Sequence, residues 1–436
     1  MSDARPKFWK LAARQPPPGP IWWSNATFFV SMHIAAALGV YSYPLWLVPR
    51  QTLALCIISW QLASLGISIG YHRLWSHKSF TARRPLRLAL AIMGALGFQG
   101  SIKWWCLRHR LHHRFTDNPV HDPYAATRGL LFAHVGWIFR KPFYEKMSQI
   151  EKNDLEADPV VRFQHKFYIP IAVLFGLVAP TLVASLWDDA IGGFLYAGVI
   201  TRIFVWHCTF MINSLAHWKG LQPYTNEVTA RGNLILAFLT SGEGNHNYHA
   251  FPHDFRNGPC TQDWDPAKWI IWALYRFTPF VTRVRRACQE DVNRARKWMA
   301  YIHAQGKDHL PYGWEELDDD LLDAIGELPD TTARSFEEWG EAQLETYIQT
   351  KHRLVVLIDS WVVDVTDYIK EHPGGSVVLR NHLYSPKPHP ANSTNQNSLA
   401  DATWAFNGGM NQHTRTARAR MRSLRIARLI VDQNNC

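Results

Sequence analysis

Four stretches of the chain are apolar over roughly the 20 residues that a helix needs to cross a bilayer. They carry almost no charge and cover residues 26–48, 52–71, 167–187 and 190–218. Only three residues separate the first two stretches, which predicts a hairpin of membrane helices. A fifth apolar run, residues 88–102, is too short to span and predicts a buried or interfacial helix. The pattern predicts a mainly α membrane protein with four transmembrane helices.

Basic residues set the predicted orientation. They precede the first span and follow the second, whereas the turns at the other end carry Arg50 in one case and Asp188 and Asp189 in the other. Loops rich in Lys and Arg stay in the cytosol. We therefore expect the N-terminus, the loop 72–166 and everything after residue 218 to be cytosolic, with a histidine-rich helical cap on that side.

Composition agrees with a membrane protein. Of the 436 residues only 19% are charged and 20 are tryptophan, a residue that favours membrane interfaces. The net charge of +10 comes from basic residues that flank apolar spans, so it is better explained by lipid headgroups than by nucleic acid. The six cysteines form no CxxC pair, which favours a reducing compartment.

The character of the chain changes beyond residue 300. Residues 314–346 are acidic and favour helix, and residues 354–366 alternate in a way that predicts two strands with a turn near Asp359 and Ser360. This predicts a small soluble α+β domain. The predicted division is a cytosolic segment 1–25, a membrane domain 26–300, a linker 301–344 and a C-terminal domain 345–436.

Eight histidines lie in four short clusters beside the apolar spans. They are His72, His77, His109, His112, His113, His217, His246 and His249. The spacing of His109, His112 and His113 puts all three on one face of a helix. A set this rich in imidazole suits iron, copper or zinc rather than calcium or magnesium. Four further histidines have no such cluster and are interpreted as satisfied core residues: His33, His134, His165 and His207.

The clusters and their surroundings resemble the membrane acyl-CoA desaturases, in particular the fungal stearoyl-CoA Δ9 type. The matching motifs are GYHRLWSH at 70–77, SIKWW at 101–105, HRLHHRFTD at 109–117, HDPY at 121–124, NSLAH at 213–217 and GEGNHNYH at 242–249. The resemblance implies an endoplasmic-reticulum enzyme with two Fe ions that inserts a cis double bond into a fatty acyl-CoA. O₂ is then a co-substrate, and the electrons come from NADH through a reductase.

The same resemblance implies the metal-site residues. The family uses nine histidines and an asparagine that reaches a metal through water, and the positions that transfer are His72, His77, His109, His112, His113, His217, His246 and His249, with Asn213 as the indirect contact. The family's last cluster ends in two adjacent histidines, but here Ala250 follows His249. Either one iron lacks a ligand or His253 replaces it. If the chain continued as a helix from His246, His253 would lie on the same face but too far along the helix axis. It could therefore replace the missing ligand only if the backbone breaks at Pro252.

A second resemblance covers the C-terminal domain. The stretch DVTDYIKEHPGG at 364–375 is similar to the haem-binding core of cytochrome b5, which fungal desaturases carry at this end. It implies haem b with His372 and His413 as axial ligands, and cytochrome b5 reductase as the electron donor. The two histidines are further apart than in the family, because residues 382–398 form a Pro-, Asn- and Ser-rich insertion.

The sequence thus predicts an acyl-CoA Δ9 desaturase in the endoplasmic-reticulum membrane, with both termini cytosolic and a fused haem domain. Ile67, Trp104, Trp105 and Phe238 are candidates for the acyl-channel wall, but the preferred chain length is not encoded in any motif. Two alternatives stay open. One is a di-iron membrane fatty acyl hydroxylase, and the other is an impaired homologue that acts as a membrane haem protein.

Overall fold

A computed structural model describes residues 19–304, 336–369, 372, 376–385, 402–407, 413 and 415–430. The chain divides into two compact units, Met1–His309 and Leu310–Cys436. The predicted features at 1–18, 305–335, 373–375 and 386–401 lie outside the described residues. They include most of the acidic linker and most of the insertion between the two predicted haem ligands.

The first unit is helical. Its helices are α1 (Trp23–Ser42), α2 (Arg50–Ser76), α3 (Arg84–Ala95), α4 (Ile102–Arg114), α5 (Leu130–His134), α6 (Asn153–Ala157), α7 (Pro159–Lys166), α8 (Tyr168–Trp187), α9 (Ala190–His217), α10 (Leu234–Leu239), α11 (Pro266–Phe277) and α12 (Gln289–Ala304). Single 3₁₀ turns connect several of them, and one such turn is His246–Ala250. The fifth apolar run is divided between α3, an irregular segment and the start of α4.

Three of the described helices are long and apolar enough to cross a membrane, namely α2, α8 and α9. They correspond to the second, third and fourth predicted spans. The first predicted span is also helical, as α1, but its Ser, Asn and His residues dilute its apolar character and it is not among the three. The first span, and with it the total of four transmembrane helices, therefore stays a prediction.

Close backbone packing joins α2 to α3. A side chain at Gly66 would collide with the backbone of Gly94, and one at Gly94 would collide with the Tyr71 ring. Glycine at these positions lets the two helices approach more closely than any other residue would. From Gly66 to Ser76 the coil of α2 widens into π-type turns, which are frequent at functional sites. This wide segment carries His72.

One end of the helical unit is held by a buried carboxylate. Asp189, in the turn between α8 and α9, accepts hydrogen bonds from the Tyr43 and Thr52 hydroxyls and caps the start of α9 through the Gly192 amide. The ends of α1 and α8 and the starts of α2 and α9 therefore meet here. The histidine clusters lie at the opposite ends of α2 and α9.

A two-stranded antiparallel ribbon pairs β1 (Phe80–Ala82) with β2 (Val281–Val284). It ties the segment that follows α2 to the segment that follows α11. Beside it the main core of the unit packs the end of α2 against α3, α4, α7 and α11. The histidine-bearing ends of α2 and α4 are thus held by a continuous apolar core.

The second unit contains a four-stranded sheet in the order β3-β6-β5-β4. The strands are β3 (Glu337–Trp339), β4 (Val355–Ile358), β5 (Trp361–Asp364) and β6 (Arg425–Leu429), and the helices are α13 (Glu341–Lys351), α14 (Ser376–Arg380), α15 (Thr403–Phe406) and α16 (Arg415–Ser423). β4 and β5 form an antiparallel hairpin, and Asp359 and Ser360 between them both have positive φ angles. This confirms the predicted strand pair and turn, because positive φ at both central residues is the geometry of a tight hairpin turn.

Candidate metal centre

The eight clustered histidines converge in the structure as two adjoining groups. We call them the five-histidine group, His72, His77, His109, His113 and His249, and the three-histidine group, His112, His217 and His246. Within each group the candidate ligand atoms lie within 4.8 Å of one another. Residues far apart along the chain thus meet at one place.

Helix α4 supplies both groups. Ser101 caps its first turn by accepting from the Trp104 amide, which fixes where the helical register begins. His109 and His113, one turn apart, face the five-histidine group, and His112 faces the other. The 3₁₀ turn His246–Ala250 divides its histidines in the same way, so each group receives ligands from both elements.

The ring nitrogens have the spacing of a metal's donor set. Nε2 of His72 lies 3.0 Å from Nε2 of His249, and Nε2 of His77 lies 2.8 Å from Nε2 of His109. Two imidazoles bound at about 2.1 Å and at right angles have nitrogens about 3 Å apart. In addition, buried Nε2 atoms of His113 and His217 have no hydrogen-bond partner. These residues fit a transition metal in each group.

Hydrogen bonds orient two rings of the three-histidine group. Nδ1 of His112 lies 2.9 Å from the Asp122 carboxylate, and Nδ1 of His217 lies 2.7 Å from the Thr229 hydroxyl. Thr229 in turn donates to Asp117, at 2.7 Å from its hydroxyl. Such outer contacts fix the tautomer that presents Nε2, and they raise the basicity of the ring.

One described carboxylate serves the five-histidine group in the same way. Glu243 lies 3.2 Å from Nδ1 of His72, and it is paired with the Arg73 guanidinium at 3.0 Å. Arg73 also contacts the buried Asp265. Burial alone would raise the pKa of Glu243, but Arg73 and then His72 hold that pKa well below its usual range. Glu243 is therefore an anion that stays beside His72 at neutral pH.

Burial makes most of the clustered imidazoles neutral. It lowers the pKa of His77, His109, His113 and His249 well below the ordinary value, and neighbouring imidazoles lower it further. Burial also lowers the pKa of His246 to about 3. Neutral imidazole is the form that binds metals.

His112 is the exception among these rings. Burial would lower its pKa, but the Asp122 carboxylate raises it above the ordinary value by attraction and by a hydrogen bond. A more basic imidazole is a stronger donor to a metal. The smaller group thus contains a ring whose donor character is strengthened by a buried carboxylate.

A cavity of about 850 Å³ reaches both groups. Its wall is mainly apolar and includes one or more rings of each group, together with Asn213, the predicted indirect contact. Ile67, Trp104 and Trp105 line it as predicted. Phe238 was predicted wrongly: its ring is 48% exposed and packs on Trp264, because only one face of the short helix α10 is buried.

The two residues nearest to the position of the expected ninth histidine, Ala250 and His253, belong to neither histidine group. Ala250 packs in an apolar cluster with Tyr224, Tyr248 and Phe251 and is not part of either group. The 3₁₀ turn ends at Ala250, so His253 does not continue a helix from His246, contrary to the geometry assumed from the sequence. His253 instead uses Nδ1 to contact the backbone carbonyl of His77 at 2.8 Å.

Several residues that orient the clustered histidines were not identified from the sequence. They are the carboxylates and the hydroxyl that orient the rings: Asp117, Asp122, Thr229 and Glu243. Three of them lie inside the quoted motifs, Asp117 after HRLHHRFT, Asp122 in HDPY and Glu243 in GEGN. A carboxylate beside a histidine cluster was therefore an available signal. Thr229 had none, because it lies in an irregular loop.

In the second unit, His372 and His413 face each other. Their ring centroids are 6.3 Å apart. A metal held at about 2 Å from a nitrogen of each ring leaves centroids about 6 Å apart. Nδ1 of His413 lies 2.9 Å from the Phe406 carbonyl, and its ring stacks on Phe406. The pair therefore fits the two axial positions of a haem.

Comparisons with known proteins agree with this chemistry. Residues 44–255 match the family described as fatty acid desaturase. The chain is 36% identical to a probable acyl-CoA desaturase of Schizosaccharomyces pombe, over 97% of this chain and 81% of that protein. It is 34% identical to acyl-CoA desaturase 1 of Saccharomyces cerevisiae, over 87% and 68% respectively. It is 35% identical to human stearoyl-CoA desaturase 5, over 58% and 77%.

Proposed function

The chain belongs to the fatty acid desaturase family, as an oxidoreductase of the acyl-CoA desaturase type, and we propose that it forms the Δ9 cis double bond of stearoyl- or palmitoyl-type acyl-CoA. One observation carries the proposal. The five-histidine group and the adjoining three-histidine group open on the same mainly apolar cavity. That arrangement would bring a pair of metals to an alkyl chain.

The family uses a di-iron centre, and we assign one iron to each group. The bound irons would activate O₂ to remove hydrogen from an unreactive methylene pair. His72, His77, His109, His113 and His249 would hold the first iron, and His112, His217 and His246 the second, with Asn213 as a contact through water. No further catalytic side chain is assigned.

The protein's own part is to bind and orient the acyl chain. The cavity is lined by the indole rings of Trp104 and Trp105 and by the side chain of Ile67. These apolar groups would exclude water from a bound acyl chain. Arg108 and Lys166 also lie in the wall, and Arg108 is held over the Trp104 ring, 3.2 Å from its centroid. We assign these cations to the phosphates of coenzyme A.

We further propose that the second unit contains a cytochrome b5-like domain, predicted from the sequence to cover residues 345–436, that binds haem b through His372 and His413. The facing rings support this assignment, since they have the separation that a bis-imidazole haem requires. Electrons would then pass singly from NADH through cytochrome b5 reductase to the haem. We expect the enzyme to lie in the endoplasmic-reticulum membrane with both termini cytosolic.

A purified, iron-loaded full-length chain tests the proposal directly. It is supplied with NADH, cytochrome b5 reductase, O₂ and stearoyl-CoA, and the acyl products are identified by mass spectrometry after double-bond derivatisation. We expect oleoyl-CoA. The matched control is His217→Ala, which removes one imidazole of the three-histidine group and should abolish the product.

Other products discriminate the alternatives. A hydroxylated acyl chain would identify a di-iron hydroxylase, which has the same histidines. No product from protein that carries both irons and a reducible haem would favour a membrane haem protein. In the same preparation, His372→Ala should remove the reduced-haem absorbance and make product formation depend on added cytochrome b5.

A further inference from the structure

Helix α11 buries one side and exposes a row of aromatic rings on the other. Ala267 and Ile271, one turn apart, belong to the main core of the helical unit. The opposite side carries Trp269, Trp272 and Tyr275, which are between 41% and 44% exposed. Their spacing of three residues keeps the rings on one side of the helix, so α11 presents an aromatic stripe away from the core.

The aromatic stripe continues beyond both ends of α11. On the C-terminal side, Phe277 is 75% exposed, and Phe280, in the turn that leads to β2, is 39% exposed. On the N-terminal side, the Trp264 ring lies 5.4 Å from the Trp269 ring and 4.5 Å from the Phe238 ring. These contacts join the stripe to the exposed side of α10. Soluble surfaces rarely leave so large a continuous apolar area to water.

Arginines border the stripe where α11 passes into the β1–β2 ribbon. Arg276 lies in the last turn of α11, and Arg283 lies in β2 opposite Thr81 of β1. The backbone amide of Arg83 donates to the Phe280 carbonyl at 2.8 Å. All three arginine side chains are exposed. The positive charges therefore surround the C-terminal end of the aromatic stripe.

The segments that carry this charge contain no acidic residue. Residues 78–116 and 266–289, which include the ribbon, α3 and α11, have no Asp or Glu. The nearby Arg87 is paired with Asp158 of another segment. By contrast, no described residue forms an ion pair with four exposed arginines, Arg83, Arg84, Arg276 and Arg283. We call these four arginines and the aromatic stripe the arginine–aromatic surface.

Chain connectivity brings this surface to the boundary of the membrane. Helix α2 is long and apolar enough to span a bilayer, and residues 77–79 alone separate it from β1. Its 27 residues extend about 40 Å, which exceeds the hydrocarbon thickness of about 30 Å. The end of α2 that leads into the ribbon therefore reaches the level of the headgroups when α2 spans.

We propose that the arginine–aromatic surface lies in the headgroup layer of the membrane and binds anionic phospholipids. Trp and Tyr rings favour the boundary between headgroups and acyl chains. Guanidinium groups beside them bind phosphate oxygens with two parallel hydrogen bonds. A lipid with net negative charge is selected over a zwitterionic one, because the surface itself contributes only positive charge. This interaction involves neither acyl-CoA nor the clustered histidines, so it goes beyond the proposed function.

The docked helix is joined to the metal centre by buried ion pairs. Asp265, which caps the start of α11, pairs with Arg73 at 2.9 Å. Arg73 pairs in turn with Glu243, the carboxylate beside His72. Lipid bound to the outer side of α11 therefore holds the five-histidine group at a fixed depth relative to the bilayer.

Photo-crosslinking of the full-length protein in nanodiscs tests the proposal. The nanodiscs contain phosphatidylcholine and phosphatidylserine, and one of the two lipids at a time carries a diazirine next to its headgroup at the same mole fraction. Peptide mass spectrometry then measures labelling of residues 266–289. We expect labelling by both probes and about fivefold more by the phosphatidylserine probe. Added salt should reduce this preference.

Charge variants test the role of the arginines. Arg276→Gln with Arg283→Gln should lower phosphatidylserine labelling of this segment about fivefold and leave phosphatidylcholine labelling unchanged. Lysine at both positions keeps the charge and should retain the preference. The matched control is Arg296→Gln with Lys297→Gln, which removes two exposed charges from α12 and should behave as the wild type.

Three results would overturn the proposal. Equal labelling by the two probes in the wild type would show a membrane contact that does not select anionic lipid. No labelling by either probe, with crosslinks between chains instead, would show that a second copy covers the surface. An equal loss of phosphatidylserine labelling in the α12 control would exclude a specific role of the four arginines. The measurement needs no substrate or electron donor, so its outcome is independent of the proposed function.

Discussion

The two histidine groups meet the same cavity but are built differently. The five-histidine group has more imidazoles, and one described carboxylate, Glu243, supports it through His72. The three-histidine group has fewer, yet Asp122 and the pair of Thr229 and Asp117 orient two of its rings. One group relies on the number of ligands, and the other relies on how firmly two of its ligands are held and on the raised basicity of His112.

This difference indicates that the missing ninth histidine affects the three-histidine group. The smaller group has more room for a further ligand, because the five imidazoles of the other already supply most of an octahedral set. Asn213 lines the cavity together with His112 and His246 of the smaller group. We therefore expect the three-histidine group to bind its iron more weakly and to leave a position open to the cavity.

The largest effect should follow loss of a ring from the smaller group. His217→Ala leaves two imidazoles there, so iron should fall from two per chain to one and product formation should fall at least about 100-fold. The measurements are metal analysis with haem iron subtracted, and product yield.

His77→Ala in the larger group is the matched comparison. It leaves four imidazoles, so we expect two irons per chain and a smaller loss of activity. Equal loss of iron in both variants would contradict the proposed difference between the groups.

The next effect concerns orientation of the rings. Asp122→Asn removes the carboxylate that makes His112 more basic, and it should weaken iron binding in the three-histidine group by about 10- to 100-fold. Competition with a chelator measures this affinity. Asp154→Asn is the control, because Asp154 pairs with Arg110 on the same helix α4 and touches no clustered histidine. An equal effect in the control would show general destabilisation of α4.

A smaller effect is expected at the turn after His249. Ala250→His puts an imidazole into the cluster around Tyr224 and Tyr248, so it should add no iron and should lower stability. Insertion of a histidine after His249 lengthens the turn and should raise iron occupancy, with a gain in turnover below about tenfold. His253→Ala should leave iron content nearly unchanged. If His253→Ala removed as much iron as His249→Ala, His253 would be the missing ligand.

The smallest effect is on the iron-free protein. Burial lowers the pKa of His77, His109, His113 and His249 from the ordinary 6.5, so below that pH the unfolded chain binds more protons than the folded one. Their contribution to stability is therefore present above pH 6.5 and declines as the pH falls further. The raised pKa of His112 acts in the opposite sense. Thermal unfolding from pH 7.5 to 5 should show a falling midpoint, and bound iron, which requires the neutral imidazoles, should make this dependence steeper.

Sequence patterns predicted features that depend on local periodicity. Helical spacing brought His109 and His113 to one face, and alternation with Asp359 and Ser360 predicted the β4–β5 hairpin. Patterns did not reveal that His112 joins a different group, because the approach of α9 and its loop decides which ring meets which partner. Nor did they reveal that hydrogen bonds join the rings of His33, His207 and His134, because these residues come from three distant segments.

Mössbauer spectroscopy of the ⁵⁷Fe-enriched protein tests the central claim most directly, because it resolves iron sites by their ligand environment. We predict two non-haem doublets of equal area, one for each histidine group, besides the haem signal. In His217→Ala one doublet should disappear and the other should be unchanged. A single non-haem doublet in the wild type that accounts for one iron per chain, or loss of both doublets in the variant, would contradict the account of two separate and unequal sites.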